Sequence, residues 1–507
     1  MHQQAKLFSL TDKHEQDAIL QALSHFVSLR SLADENFECT WHDTFDWRLF
    51  AAKQQLTSRP HHQGYVATLI EKGKKVEQAS VSGIFPSFAN RLPAVSLAEK
   101  VQKHTKNRAL LPMLTLEGTV RRWEIVDESG QPALELQVLQ LTAESARTEQ
   151  HTSLNTLLQL LPLKKRSNDF SQNFFTIVNG LQSTKSLPVD GLFATGAAAT
   201  GLVPGDYQPW QPSGLDPQVP ATKAIKDMID HCLSVMQRNQ QGIEEMLDVE
   251  FLHDYRIALR RIRALMKNFA PWFGSGGQKL EGELQWLGRR TGLVRDMDVF
   301  LEKLDILQAT LPKELQEKLM PVKVHLWQRR DRGYAMLRRL FSSHRYRNLT
   351  AILTDCRLPE QREGDAEPVS IGQAATDTID TAWQRLRKKG RRLSSRSADR
   401  DIHALRIAVK KYRYLVEHLR NLFPREFANL KRFKKIQNSL GRFNDASVQA
   451  QALEEMTRRL ARSNDPSLLG TFQAIGYIQA SLHQQQDEYR QQFFQQWKQL
   501  AQHMKRA

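Results

Sequence analysis

The sequence predicts two fold classes in one chain: an α+β, strand-rich N-terminal domain, then an all-α domain. Three observations carry this. Short segments of alternating apolar and polar residues crowd the first 145 positions, a Pro- and Gly-rich stretch interrupts the chain near 186–220, and long segments with a 3.6-residue apolar period fill the remainder. At 507 residues, 40% apolar and 25% charged, the chain has the balance of a globular protein long enough to bury more than one core.

In the first domain, 1–185, the segments AKLFSL, YVATLIEK, KVEQASVSGIF and ALELQVLQL read as strands, with one helical stretch near 12–30. The stretch 186–220 (SLPVDGLFATGAAATGLVPGDYQPWQPSGLDPQVP) lacks a periodic apolar pattern and reads as a linker. Within it Gly196 and Gly201 share the G-x-x-x-x-G spacing of a phosphate loop, but Leu202 and Val203 stand where Lys and Ser/Thr would be needed. It is not a phosphate site. Residues 221–507 are rich in Leu, Arg, Lys, Gln and Glu and poor in helix breakers, so the second domain reads as all-helical.

Charge divides the chain in the same place. The whole sequence holds 72 Lys and Arg against 55 Asp and Glu; residues 1–220 account for 21 and 22 of these, which leaves 51 and 33 for 221–507. An excess concentrated in one domain points to a polyanionic partner. The apolar runs are too short for a membrane span, and MHQQAKLFSL has no basic segment leading into a hydrophobic one, so a cytoplasmic protein without a membrane partner is expected. Cys39, Cys232 and Cys356 are isolated in sequence and suit neither a disulfide framework nor a zinc site. No cofactor, no metal site and no catalytic residue is expected.

The helical half contains a repeat. His253-Asp-Tyr-Arg256-Ile-Ala-Leu-Arg260-Arg261-Ile-Arg263 returns 150 residues later as His403-Ala-Leu-Arg406-Ile-Ala-Val-Lys410-Lys411-Tyr-Arg413, with the shared spacing H-x-x-R-x-x-x-[RK]-[RK]-x-R. At about 100° per residue, His253, Arg256, Arg260, Arg263 and Lys267 fall within an arc of roughly 80°. Leu259, Ile262, Leu265, Met266 and Phe269 lie on the other side, and the second copy sets His403, Arg406, Lys410, Arg413 and Arg420 opposite Val409, Tyr412, Leu415, Val416 and Leu419. Each helix therefore presents a basic row opposite a core face. After each comes a matched element, Gly292 to Asp296 and Gly441 to Asp445, in which the Asp reads as a cap on the next helix. Arg289, Arg295, Lys435 and Arg442 on these elements would extend the basic lining.

These paired helices and G-x-x-x-D segments resemble the CHAD family over about 221–507. The resemblance implies two pseudo-symmetric helical bundles around a basic groove or pore that binds inorganic polyphosphate. By matching position it assigns that role to His253, Arg256, Arg260 and Arg263, and to His403, Arg406, Lys410 and Arg413. The residues argue the same way. Converging like charges at about 8 Å in an effective dielectric of about 20 repel by roughly 2 kcal/mol per pair before screening, and an anion relieves that. Arginine offers phosphate bidentate contacts and lysine a point charge.

The segment ECTWHDTFDWRLFAAKQQLTSR, with the strand-rich remainder of the first domain, is similar to the CYTH family of triphosphate-processing tunnel domains. That family's E-x-E-x-K strand corresponds here to His2-Gln-Gln4-Ala-Lys6, without either carboxylate that a hard divalent cation wants. Glu117, Glu124 and Glu135 could supply part of a metal site, and Lys6, Arg48, Arg59, Arg121 and Arg122 read as strand-surface charge. The expectation is a non-catalytic polyphosphate-binding protein with a degenerate CYTH-like domain; its partner is inorganic polyphosphate, with polyphosphate-rich or storage granules as a further candidate. The alternatives are a metal-dependent inorganic triphosphatase in the N-terminal domain, and nucleic-acid binding, which the lack of aromatic interleaving and of known nucleic-acid motifs disfavours.

Overall fold

The computed structural model describes residues 6–163 apart from 11–12, 26 and 127–130, then 185–187, 191–209, and 215–506 apart from 275, 357, 359–367, 395, 420–421 and 464. His2, Gln4 and Arg420 lie outside the described residues. The chain divides into two compact units, Met1–Gln208 and Pro209–Ala507.

The first unit is an antiparallel sheet with helices on it. Its strands are β1 (Lys6–Ser9), β2 (Ser28–Ser31), β3 (Glu35–Asp43), β4 (Gln54–His61), β5 (Gly64–Glu71), β6 (Lys74–Ser82), β7 (Leu111–Val126), β8 (Pro132–Ser145), β9 (Gln150–Ser153), β10 (Leu157–Pro162) and β11 (Lys185–Leu187). They are ordered β11-β1-β10-β8-β7-β3-β4-β5-β6, with β2 on β7 and β9 on β8. Every pairing is antiparallel, consistent with the alternating segments in the sequence. Helix α1 (Lys13–Ser24) ends earlier than its sequence pattern suggests, because the chain turns at once into β2. Two short helices, α2 (Arg48–Ala51) and α3 (Val95–Thr105), close a core of Leu49, Leu56, Leu69, Leu97 and Val101.

Part of the segment read as a linker is ordered on the sheet. Residues Gly191–Ala199 form a helix, α4, whose Phe193 and Ala197 join Trp41, Leu114, Leu116 and Leu141 in a sheet core. Its sequence, GLFATGAAA, has no amphipathic period because the helix approaches the sheet on small residues: a Cβ at Gly196 would lie 2.8 Å from Leu116 Cδ2 and 2.9 Å from Leu114 Cδ2. Composition that reads as a linker here serves close packing.

The second unit is helical: α5 (Ala221–Glu244), α6 (Val249–Asn268), α7 (Gly277–Ala309), α8 (Lys313–Gln316), α9 (Met320–Phe341), α10 (His344–Thr354), α11 (Ile371–Arg391), α12 (Asp399–His418), α13 (Pro424–Leu460) and α14 (Leu469–Arg506). Asp248 caps α6, accepting from the backbone N–H of Glu250 at 2.8 Å and of Phe251 at 3.2 Å. The halves share a wiring: α5 packs on α6, α6 on α7 and α7 on α9, as α11 packs on α12, α12 on α13 and α13 on α14, while α6 meets α12. Leu259, Ile262, Leu265, Met266 and Phe269 are buried, as are Val409, Tyr412, Leu415, Val416 and Leu419. A further core, with Phe300, Leu304, Leu326, Leu453, Met456, Ile475 and Leu482, joins α7, α9, α13 and α14. Among the described residues no helix is long and apolar enough to cross a membrane.

Candidate anion-binding cleft

Helices α6, α12 and α13 enclose a cleft of about 470 Å³ lined by side chains from both copies of the repeat. Its cations are Arg260 from α6, Arg406, Lys410 and Arg413 from α12, and Arg442 from α13, with His253 also at the wall. Among the described residues Arg260, Arg406 and Lys410 make no ion pair, and the Nε atoms of Arg260, Arg406 and Arg413 are buried with no hydrogen-bond partner. Arg413 reaches Glu417 at 3.0 Å through its other nitrogen, one turn along α12. Tyr414 lies beneath two of these groups, 4.7 Å from the Arg413 guanidinium carbon and 5.9 Å from that of Arg260.

Burial and like charge act together here. Burial, then Arg406 and Arg260, lower the Lys410 ammonium to about 7. Arg406 is lowered as well, by burial and by Arg260, against the pull of Asp445. Asp445 is the carboxylate in the lining, and Lys303 holds it at 3.2 Å.

The matched acids are not caps. Asp296 and Asp445 stand in the interiors of α7 and α13, which run unbroken through Gly292 and Gly441, so neither has an N-terminus to cap. They are near one another instead: burial raises Asp296, and Asp445 raises it further against the opposing effect of Arg256. Asp298 is buried and engaged by Arg330 Nε at 2.7 Å and the Tyr334 hydroxyl at 2.8 Å, a structural arrangement.

The basic row of α6 divides between two tasks. Arg260 lines the cleft, whereas Arg256 turns to α7 and donates to the Gly288 carbonyl and Thr291 Oγ1, each at 3.0 Å. Burial, and then Arg260, lower Arg256 to about 10. Glycines on α7 make room: a Cβ at Gly292 would stand 3.1 Å from an Arg256 nitrogen, and one at Gly288 3.0 Å from an Arg263 nitrogen. Arg263 is accordingly outside the cleft lining, as are the exposed Arg289 and Lys435. His403 is exposed and hydrogen-bonds Asn444 at 2.8 Å, also outside it. Sequence reasoning did not single out Tyr414 or Gln437 as lining residues; Tyr414 was detectable only as the neighbour of Arg413.

In the first unit the three candidate carboxylates do not gather at one place: Glu124 and Glu135 are cross-strand partners on β7 and β8, and Glu117 stands apart from them. Glu117 and Glu124 are an odd seven residues apart on β7, hence on opposite faces. Glu124 approaches Arg30 at 3.7 Å, and Glu135 is taken by Arg122 at 2.7 Å and Gln137 at 2.9 Å. Glu117 shares a second cleft, of about 460 Å³, with Glu35, Glu38 and Arg59. Arg48 is bonded to Asp46 and the Thr105 carbonyl. No group of three or more potential metal ligands occurs among the described residues.

Comparison with known families addresses the helical unit. Residues 227–454 match the CHAD domain. The matched stretch contains both copies of the repeat and the residues that line the cleft. The chain is also similar to the crystal structure of the CHAD domain from the plant Ricinus communis, at 24% identity, covering 57% of this chain and 94% of that one with a TM-score of 0.48. It is similar to PptA from Streptomyces chartreusis at 19% identity, covering 55% and 99%, with a TM-score of 0.44. A search of curated proteins finds no match.

Proposed function

We propose that the CHAD region binds inorganic polyphosphate in this cleft without hydrolysing it. The observation that carries the reading is the set of buried, unpartnered Nε donors on Arg260, Arg406 and Arg413 beside Lys410. A buried donor left unmade costs about 1–3 kcal/mol, so the cleft favours a ligand that brings acceptors and negative charge together. A polyphosphate chain offers both at every unit. CHAD domains as a family are linked to polyphosphate binding, which supports the same choice.

Single-stranded nucleic acid would use the same charge and would gain from aromatic faces on which its bases stack. Tyr414, the cleft's aromatic side chain, is buried beneath guanidinium groups, so the lining favours an anion without bases. For the N-terminal unit we propose a CYTH-like, non-catalytic domain: the engagement of Glu124 and Glu135 by arginines weighs against a metal-dependent triphosphatase. Its role as a contact to polyphosphate-rich granules belongs to the same proposal.

The test is a titration of the full chain with long-chain polyphosphate at several salt concentrations. The comparison protein is the triple variant Arg260→Ala, Arg406→Ala, Lys410→Ala. Affinity in the native chain should fall steeply with salt, by analogy with counterion release. Equal affinity in the variant would remove the cleft from consideration, and displacement by RNA at equal phosphate concentration would favour nucleic acid.

A further inference from the structure

Helices α6 and α12 correspond residue for residue at a shift of 150, so Arg261 matches Lys411, Arg263 matches Arg413, and Lys267 matches Glu417. The two helices meet so that Arg261 faces Glu417 while Lys411 faces Lys267, the same contact made twice by an antiparallel pair. In one instance the contact is balanced. Glu417 lies among Arg413, Arg261 and Lys434 and is ion-paired to Arg413 at 3.0 Å. In the other instance an ammonium occupies the carboxylate's place. Lys267 is within hydrogen-bonding reach of Lys411, Lys389 of α11 is close by, and the preceding turn carries Arg263, whose buried Nε has no hydrogen-bond partner among the described residues. Glu281 of α7 is the carboxylate that reaches both Lys411 and Arg263.

We infer that Lys267, Lys411, Lys389 and Arg263 form a second phosphate subsite, in which one phosphate group takes the position that the Glu417 carboxylate fills in the other half. Lys267 and Lys389 are exposed and Lys411 is half-buried, so like charges are brought together at the edge of the contact between α6 and α12. Burial and Lys267 lower Lys411 to about 8, which agrees with an incomplete arrangement. A tetrahedral oxyanion suits this position, since Lys267 and Lys389 lie about Lys411 and Arg263 is one turn back on α6, so that it can accept from more than one cation at once. Along α6 the subsite lies about 10 Å from Arg260, seven residues at about 1.5 Å each. It is separate from the cleft lining. The identity of the ligand as condensed phosphate rests on the proposed function; the subsite itself rests on the broken symmetry.

The deciding experiment uses the full chain, with Lys267→Glu to write the Glu417 arrangement into the first half and Lys267→Gln to remove the charge alone. A third protein carries Arg406→Ala and Lys410→Ala in the cleft. Each is titrated with inorganic tripolyphosphate and with long-chain polyphosphate, and melted with and without them. The Glu variant should melt higher than the native chain without ligand, because its carboxylate is internal. It should bind long chains about tenfold more weakly, the loss of at least one charge-assisted contact. Its salt slope should fall by roughly 0.7 for each phosphate contact removed. The Gln variant should share the weaker binding without the higher melting point. Native affinity and salt slope in both Lys267 variants would overturn the subsite. If instead the Lys267 variants lose affinity while the cleft variant binds normally, the subsite stands and the cleft reading falls.

Discussion

Arg260 and Arg406, one from each copy of the repeat, line one cleft, and neither makes an ion pair among the described residues. Each has a buried Nε without a hydrogen-bond partner, and each sits within electrostatic reach of the other. Arginines held this way are costly to the unliganded fold. Their removal should therefore separate binding from stability: Arg406→Ala should lower polyphosphate affinity by about tenfold or more, from a charge-assisted bond of roughly 1.5–3 kcal/mol. Its melting temperature should stay level or rise. Calorimetric titration and a thermal melt on the same preparation check this, and a variant that loses stability as fast as affinity would contradict it.

Lys410 makes the cleft sensitive to pH. It is faced by Arg406 and Arg413 on its own helix, Arg260 on α6, and Asp445 on α13, and its ammonium is lowered to about 7 by burial first and the arginines next. Between that value and the ordinary lysine range the unfolded chain holds a proton that the folded chain lacks. Stability of the unliganded protein should thus rise with pH above about 7 through this group, and the contribution should vanish below it. A bound anion reverses the lowering, so binding takes up a proton and affinity should fall across the same window. Lys410→Arg should flatten both profiles; a native slope in that variant would assign the effect elsewhere.

The core faces of α6 and α12, and strands β1, β5, β6 and β8 of the first sheet, were legible in sequence because each depends on local period. The division of the basic row was not. Arg256 and Arg263 share an 80° arc with Arg260, yet Gly288 and Gly292 open space for them on α7, an arrangement spread over two helices. Asp296 and Asp445 misled for a related reason: a Gly followed by an Asp resembles a break and a cap, while tertiary packing keeps both helices continuous. Helix α4 was hidden because small residues, which allow it to sit close on Leu114 and Leu116, are also those of a flexible linker.

Asp445 is a carboxylate within a cleft built for anions, and Lys303 holds it at 3.2 Å. Asp445→Asn keeps the shape and removes the charge. At about 8 Å and an effective dielectric of about 20, the repulsion it exerts on a phosphate is roughly 2 kcal/mol before screening, so affinity should rise severalfold at low salt and less at high salt. Titrations at two ionic strengths decide it. Weaker binding in Asp445→Asn would show that the carboxylate positions Lys303 for the ligand rather than opposing it.

The matched glycines Gly292 and Gly441 should respond oppositely to alanine. Both lie inside long helices, where Ala is worth about 1 kcal/mol over Gly. A Cβ at Gly441 meets nothing within 4 Å, so Gly441→Ala should keep that gain. At Gly292 the new carbon would stand 3.1 Å from an Arg256 nitrogen that is held by two 3.0 Å hydrogen bonds, to the Gly288 carbonyl and Thr291 Oγ1. The guanidinium must give by a few tenths of an ångström, which strains both bonds, each worth about 1.5–3 kcal/mol when the donor is charged. Gly292→Ala should therefore be neutral to destabilising while Gly441→Ala stabilises, and denaturant unfolding of the two variants measures the difference directly. Equal gains at both positions would mean that Arg256 is not held on α7.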